Sequence, residues 1–497
     1  MDRPFRIIVV GGGVAGLAAS HCLQKAGIDH VVLEKHAEVA PAEGASITIY
    51  PHVVRILHQL GCLEAIAQCG VPHDRAWTRR SDGSIAGNSG LFNYLKENHG
   101  YDVLPLERRE FLRVLYETLP NKNLVRTGSA IQQIKHLDDK VEVTLRDGSV
   151  ETGDMVLGCD GVHSTVRSLM WQYAEQTAPG LITEAEKNAF VTYWKCLIGI
   201  GPPPDKSVGG KNMSDFTLVH DTRYSFLVLA QPHCTFFFVL FFLNKPFPAH
   251  QRVRYTEQDA EALAATVADH PLSESWVFGD LWNNRSRGAL ISLEEGVLEH
   301  WHHERIVLAG DAVHKMTPNI ALGGNTAIED VVVLCNHVHR MLQRQGGTRP
   351  DLSTLNHMFA AYQTERLDRT KFITNISGMA SRAQAQTSPL YKLAAWLMPR
   401  LPDRGASDQL AGLIKAAPKV EFVPVQDFAP ARVPWEDRKE TGQQQKGRQD
   451  GSSSLWQSPW QLLTLGATLG VATIVLTTRW AQVLPVLPGA LSNDSIS

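Results

Sequence analysis

This chain of 497 residues has seven cysteines but no Cys-x-x-Cys pair and no metal-ligand spacing. An odd, scattered set excludes a disulfide framework and points to free buried thiols in a reducing compartment. Positive charge is not in excess either: 48 Lys and Arg stand against 51 Asp and Glu, for a net charge of −3. That excludes the electrostatic footprint of a nucleic-acid binder. No internal repeat is visible. No apolar leader precedes the first strand, because Met1 to Arg6 runs directly into a β-branched stretch, so no secretory signal is expected. With 43% hydrophobic and 20% charged residues, what remains is ordinary globular composition with material for two or three domains.

Charge is missing altogether from one long stretch, Leu455 to Thr478 (LWQSPWQLLTLGATLGVATIVLTT). About 24 residues at 1.5 Å each could cross a hydrocarbon layer of roughly 30 Å as a helix. Trp456, Trp460 and Trp480 stand near its ends, where indoles favour the membrane interface. Lys439, Lys446 and Arg448 precede it and Arg479 follows, a bias expected to keep the main body cytosolic, at the endoplasmic reticulum. The expectation is a single-pass C-terminal anchor.

The rest of the chain is expected to be α/β. Phe5 to Val10 and Val31 to Leu33 read as strands flanking a Gly-rich turn and a helix, a βαβ opening. His52 to Cys69 and Glu107 to Leu119 have helical periodicity. Val141 to Leu145 and Ser149 to Thr152, joined through Asp147-Gly148, read as a hairpin, and Met155 to Gly158 as a buried strand. Between about Phe190 and Ser292 the chain turns β-rich and aromatic. Ile306 to Ala309 is a returning strand, with helices from about Asn325 and over Ser353 to Arg382. The expected organisation is a Rossmann-like nucleotide domain in two parts, 1–189 and 293–417, the second ending in C-terminal helices. A β-sheet domain, 190–292, is inserted between them. A linker, 418–454, rich in Pro, Gln and Ser, and the transmembrane helix, 455–478, follow.

Three segments carry chemistry. Gly11-x-Gly13-x-x-Gly16 follows a strand and opens a helix, so its glycines allow a tight turn and close approach of a pyrophosphate to the helix N-terminus. Glu34 ends the next strand, where an acid accepts hydrogen bonds from both ribose hydroxyls and repels a 2′-phosphate. GCDGVHSTVRS, Gly158 to Ser168, looks like a second place for a phosphate-bearing ligand. VLAGDAVHKMTP, Val307 to Pro318, puts Asp311 on the turn after a short strand, as a ribityl ligand or an N-cap. The helix after Gly323-Gly324-Asn325 could turn its positive end to a flavin pyrimidine edge.

Taken in order, Gly11-x-Gly13-x-x-Gly16 with Glu34, Cys159-Asp160-Gly161-x-x-Ser164-x-x-Arg167 and Gly310-Asp311-Ala312-x-His314-x-x-x-Pro318 resemble the class A FAD-dependent monooxygenases of the para-hydroxybenzoate hydroxylase fold. GASITIYP, LERREFLRVLYE and AGDAVHKMTPN further resemble the fungal enzymes of secondary metabolism, of meroterpenoid and indole-diterpene epoxidase type. The resemblance implies FAD, with NADPH or NADH as reductant, O2 adding to the flavin C4a, and transfer of one oxygen from the hydroperoxide. Residue by residue it implies Gly44 and Ala45 in a loop over the flavin, Arg108 (or its neighbour Arg109) near the FAD, Asp160 capping or orienting a turn beside it, Asp311 on the ribityl chain and Ala321 by the pyrimidine ring. Arg167 is left between a phosphate contact with the reductant and a surface salt bridge. Two departures from the family pattern stand out. Tyr50-Pro51-His52 replaces a Pro-Asn pair, and Ala321-Leu322 replaces the first glycine and the glutamine of a Pro-x-x-Gly-Gln-Gly loop, where alanine fits if its φ stays negative.

The expected substrate is a small apolar prenylated or terpenoid molecule whose alkene is epoxidised. Tyr224 and Lys195 are the candidates for acid assistance on the substrate side. Five phenylalanines, Phe236, Phe237, Phe238, Phe241 and Phe242, come from one strand, so alternate members must face opposite sides. The alternatives are a phenol hydroxylase of the same family and a flavin-binding membrane protein without oxygenase activity.

Overall fold

The β-branched run at the N-terminus is buried on both faces, as the central strand of a parallel sheet must be. In the computed structural model, which describes residues 4–41, 44, 46–203, 214–346, 348–425 and 431–438, six strands form this sheet. Their order is His302–His303, Ile306–Leu308, Met155–Gly158, Arg6–Val10, Asp29–Leu33 and Val125–Arg126. All neighbours are parallel except the short edge strand His302–His303. Helices Val14–Lys25 and Gly323–Gln345 pack together against it. The close approach of the first helix to its preceding turn depends on Gly16, where a Cβ would lie 1.8 Å from the carbonyl oxygen of Gly11.

A second sheet has eight strands. Their order is His314–Lys315, Arg287–Val297, Val191–Gly201, Thr235–Pro248, Tyr224–Ala230, Asp215–His220, Arg75–Arg79 and Ile85–Ser89. The β-rich segment is therefore a sheet, as expected, but it is not self-contained. Two strands reach it from the first segment of the chain and one from the third. The phenylalanine run alternates as a strand requires: Phe236, Phe238 and Phe242 pack on one face, Phe237 and Phe241 on the other. On the second face lie the helices Glu257–Ala265 and Phe278–Asn283.

Smaller expectations meet specific outcomes. Val141–Leu145 and Val150–Gly153 do pair antiparallel. The helix expected over His52 to Cys69 breaks in two, Pro51–Leu60 and Leu63–Ala67, because Gly61 takes φ +79° and ends the first. Beyond the long helix Leu352–Gln384, two more follow, Pro389–Leu397 and Asp403–Lys415. Among the described residues no helix is long and apolar enough to cross a membrane. The uncharged run 455–478 lies outside them.

Candidate functional site

Turns at the ends of the six-stranded sheet and one face of the eight-stranded sheet line one cavity of about 510 Å³. On the nucleotide side it is lined by Gly13, Val14, Ala15, Arg108, Cys159, Gly161, Asp311 and the loop Ala321 to Gly324. On the sheet side its wall is Phe216, Leu218, Leu227, Leu229, Phe238 and Leu293.

Two helix N-termini open onto this cavity without a side-chain cap. The helix from Val14 starts at Gly13 with no capping side chain and no acid in its first turn. The helix from Gly323 starts at Leu322 in the same way. Free N–H groups and the positive helix end favour anions at each place. A Cβ on Gly13 would meet nothing within 4 Å, so the wall there is open to a ligand. Gly11, at φ +103°, is instead closed in, since its Cβ would lie 2.5 Å from the Cys159 carbonyl oxygen. This donor set fits FAD: amides for a pyrophosphate at one end, and amides for a ring that gains negative charge on reduction at the other.

Glu34 is buried beside the first turn. Its Oε2 accepts from the Gly12 amide at 2.6 Å and its Oε1 from the His36 amide at 2.8 Å. The His36 ring Nδ1 also lies 2.7 Å from Oε1, so Oε2 is the oxygen with a lone pair left for a ribose hydroxyl. Asp311 lines the cavity and is paired with Lys315. Arg108 lines it too, whereas Arg109 points away, donating to the Ala40 carbonyl at 3.1 Å. Gly44 takes φ +75° with its Cα close to the Arg108 side chain, and Ala45 lies outside the described residues.

The segment Gly158 to Ser168 is bonded largely to itself. Asp160 Oδ2 accepts from the amides of Thr165 and Val166, at 2.6 and 3.1 Å, and Ser164 Oγ accepts from the Arg167 amide at 2.9 Å. The amides of Thr165, Val166 and Arg167 are thereby taken within the segment. Burial raises the Asp160 carboxyl above its ordinary value despite these bonds. Arg167 is not a surface salt bridge. It is buried, donates to the carbonyls of Ala312 (2.8 Å) and Val162 (2.7 Å), and lies over Trp171 and Phe190. Desolvation brings it down to about 10. Asp160 and Arg167 thus build the site, as a cap and as a strut between two cavity-lining turns.

The loop by the pyrimidine end also departs from expectation. Ala321 adopts φ +52°, ψ +26°, the left-handed region, not a negative φ. Buried Asn325 holds it there, donating to the carbonyls of Ala321 and Thr48 at 2.8 Å and accepting from the Tyr50 amide at 2.9 Å. Burial raises the Tyr50 phenol to about 12.

Tyr224 and Lys195 do not line the cavity. Both point to the helix-covered face of the eight-stranded sheet. Lys195 sits over Tyr255, with Nζ 5.1 Å from the ring centroid. Tyr224 stacks on Phe241, and burial and Asp221 raise its phenol to about 12. The physical reason is the two-residue period: Trp194, Cys196 and Leu227 take the cavity-side face, which sends Lys195 and Tyr224 to the other.

Sequence reasoning missed the polar groups that are in the cavity. His73 and His220 line it, and each is held down to about 4 by burial. Their Nε2 atoms have no partner. Asn319 donates to Gln384 Oε1 at 2.5 Å and leaves its own Oδ1 unpaired. Also missed was a buried charge network beneath the Gly310 turn. Arg366 donates to Glu329 at 2.6 Å and Asp330 at 2.8 Å. Asp330 in turn accepts from the Gly310 amide at 3.0 Å and pairs with His314 at 2.5 Å. His314 is therefore a support of the turn that carries Asp311.

The family model described as "FAD binding domain" matches residues 5–183 and 250–375. The chain is 40% identical to "FAD-dependent monooxygenase DEP2" of Alternaria brassicicola, over 87% of this chain and 82% of that protein. It is 32% identical to "FAD-dependent monooxygenase penE" of Penicillium thymicola, over 98% of this chain and 100% of that one. Among solved structures, Klebsiella pneumoniae HpxO complexed with FAD and uric acid superposes with a TM-score of 0.66 at 20% identity, over 83% of this chain and 97% of that one. That likeness concerns the fold alone.

Proposed function

The chain belongs to the FAD-dependent monooxygenases, and from that premise we propose that it oxygenates an uncharged, mainly apolar substrate of fungal secondary metabolism. The group attacked is an alkene on a prenylated or terpenoid chain, and the reaction is an epoxidation. The observation that carries this reading is the sheet side of the cavity. Its lining strand residues are apolar or neutral except Lys315 at the nucleotide end, whose charge is paired with Asp311. A charged substrate would lose its hydration there without a partner.

When bound, FAD takes electrons from a nicotinamide, NADPH or NADH, and passes one atom of O2 to the substrate. The chain's own residues do the rest. The Gly13 turn and Glu34 hold the adenosine end, Asp311 the ribityl region, and the amides after Leu322 the ring edge. Phe216, Leu218, Leu227, Leu229, Phe238 and Leu293 exclude water and fix the apolar body. His73 and His220, neutral above about pH 4, and Asn319 Oδ1 offer hydrogen bonds to a hydroxyl or carbonyl at one end of the substrate. Imidazoles that weakly basic are poor bases for a phenol, whereas an alkene needs no proton removed. This favours epoxidation over phenol hydroxylation. We also propose that the uncharged run Leu455 to Thr478 anchors the enzyme to the endoplasmic reticulum with its body in the cytosol.

The test is NADPH oxidation, O2 uptake and product mass with prenylated quinols, terpenoid alkenes and simple phenols. A prenylated or terpenoid alkene should speed NADPH oxidation and yield an epoxide one oxygen heavier. Hydroxylation of the phenols alone would overturn the alkene assignment.

A further inference from the structure

The helix Pro389–Leu397 is apolar on the wrong side. Its inner face is small, with Ala394 and Ala395 buried. Its outer face carries Leu390, Leu393, Trp396 and Leu397, exposed by 44%, 52%, 56% and 37%. These are four of the eight large hydrophobic side chains that are exposed among the described residues, gathered on fewer than three helical turns. Single exposed leucines need no explanation, but such a cluster does.

Three further observations say what covers it. First, charge: from Ala383 to Pro402 there are two cations, Lys392 and Arg400, and no carboxylate. Lys392 borders the stripe, and the Arg400 guanidinium lies 3.9 Å over the Trp396 ring. An apolar face with an indole and flanking cations suits the boundary between acyl chains and anionic headgroups. Second, continuity: the residues immediately after the helix, Met398, Pro399 and Leu401, line the cavity. The exposed stripe and the site are thus adjacent in one short segment. Third, the chain beyond the described residues: about 16 residues separate Arg438 from the uncharged run starting at Leu455, a tether of at most about 55 Å. A run able to enter a bilayer thus begins within that length of the described chain.

We propose that the outer face of helix Pro389–Leu397 lies in the headgroup–acyl boundary of an anionic bilayer, so that an apolar substrate passes from the lipid along Met398 and Pro399 into the cavity. The docking stands on the exposed stripe, and only the substrate path rests on the proposed function.

The test uses the full chain with Leu393→Cys labelled by an environment-sensitive fluorophore, and vesicles of phosphatidylcholine containing phosphatidylserine, with no substrate present. Docking predicts a blue shift on adding vesicles and quenching by lipids brominated near the headgroup. Adding Trp396→Glu and Leu397→Glu should abolish the shift, or raise the lipid needed for half of it by roughly tenfold or more, while bound flavin is unchanged. A label that stays in water while the protein sediments with vesicles would overturn the proposal, because the tail alone would then hold the membrane. A label already shielded without lipid would also overturn it, in favour of a second copy if the shielding depends on protein concentration and of the chain's own tail if it does not. None of these readings depends on turnover, so an inactive substrate panel leaves them standing.

Discussion

Replacing Gly13 by alanine separates the cofactor from the scaffold. A Cβ at Gly13 meets no atom within 4 Å, and its φ of −80° is open to any residue. The apoprotein should therefore lose at most about 1 kcal/mol, the difference between Gly and Ala at a helix N-cap. The methyl group would stand in the cavity wall, where a pyrophosphate oxygen must reach the amides of the first turn. Two charge-assisted hydrogen bonds are worth about 1.5–3 kcal/mol each, and forfeiting half of that total weakens FAD by about 1.5–3 kcal/mol, or about 10- to 150-fold. Gly16→Ala is the control. Its Cβ would be 1.8 Å from the Gly11 carbonyl oxygen, so the helix must move and the apoprotein itself should lose about 3 kcal/mol. Urea unfolding of the flavin-free proteins and titration with FAD, followed by flavin fluorescence, measure the two effects separately. The reasoning fails if Gly13→Ala binds FAD within about threefold of the parent, or if its apoprotein is as unstable as Gly16→Ala.

Other expectations follow from the same geometry. Arg366→Leu leaves buried Glu329 to Arg369 and Asp330 to His314, and should still cost about 3 kcal/mol in urea unfolding, with weakened FAD binding because the Gly310 turn loses part of its support. Ala321→Gly should leave stability within about 1 kcal/mol, since relief of the left-handed conformation offsets the extra freedom of the unfolded chain; Ala321→Val should destabilise by about 1–2 kcal/mol. Lys195→Met and Tyr224→Phe should retain turnover within about twofold and lose only about 1 kcal/mol of stability; a tenfold fall in turnover at constant flavin content would place them in the site after all. His73 and His220 have folded values near 4, below the unfolded value of about 6.5, so the unfolded state binds more protons between those pH values and stability rises with pH there. Each should cost about 2 kcal/mol between pH 7 and 5, and His220→Phe should flatten the acid limb of the urea-midpoint profile by that amount.

What could be read in advance was what depends on neighbours along the chain. The turn Gly11 to Gly16, Glu34 at the next strand end and Asp311 after its short strand are set by local geometry and order. So is the alternation of the phenylalanines from Phe236 to Phe242. Which parity faces the cavity is a different matter, because it depends on which layer covers each side and on the irregular pairing between Thr192 and Trp194. Lys195 and Tyr224 were misplaced for that reason. The strands Arg75–Arg79 and Ile85–Ser89 lack an apolar alternation and owe their conformation to a partner far along the chain. The sign of φ at Ala321 is imposed by Asn325, and the Arg366 network exists only once two long helices pack. None of these leaves a local trace.

The strand Arg75–Arg79 lies parallel to Asp215–His220, and that pairing has a consequence for biosynthesis. About 135 residues separate the two strands, so at about 5–20 residues per second the first waits on the ribosome for roughly 7–27 s with that edge uncovered. The nucleotide-binding layer cannot be completed in that interval either, since its strand Ile306–Leu308 emerges later still. The nascent chain therefore depends on being shielded until both layers close almost together. Expression yield should accordingly be more sensitive to translation speed and chaperone supply than the stability of the finished enzyme suggests.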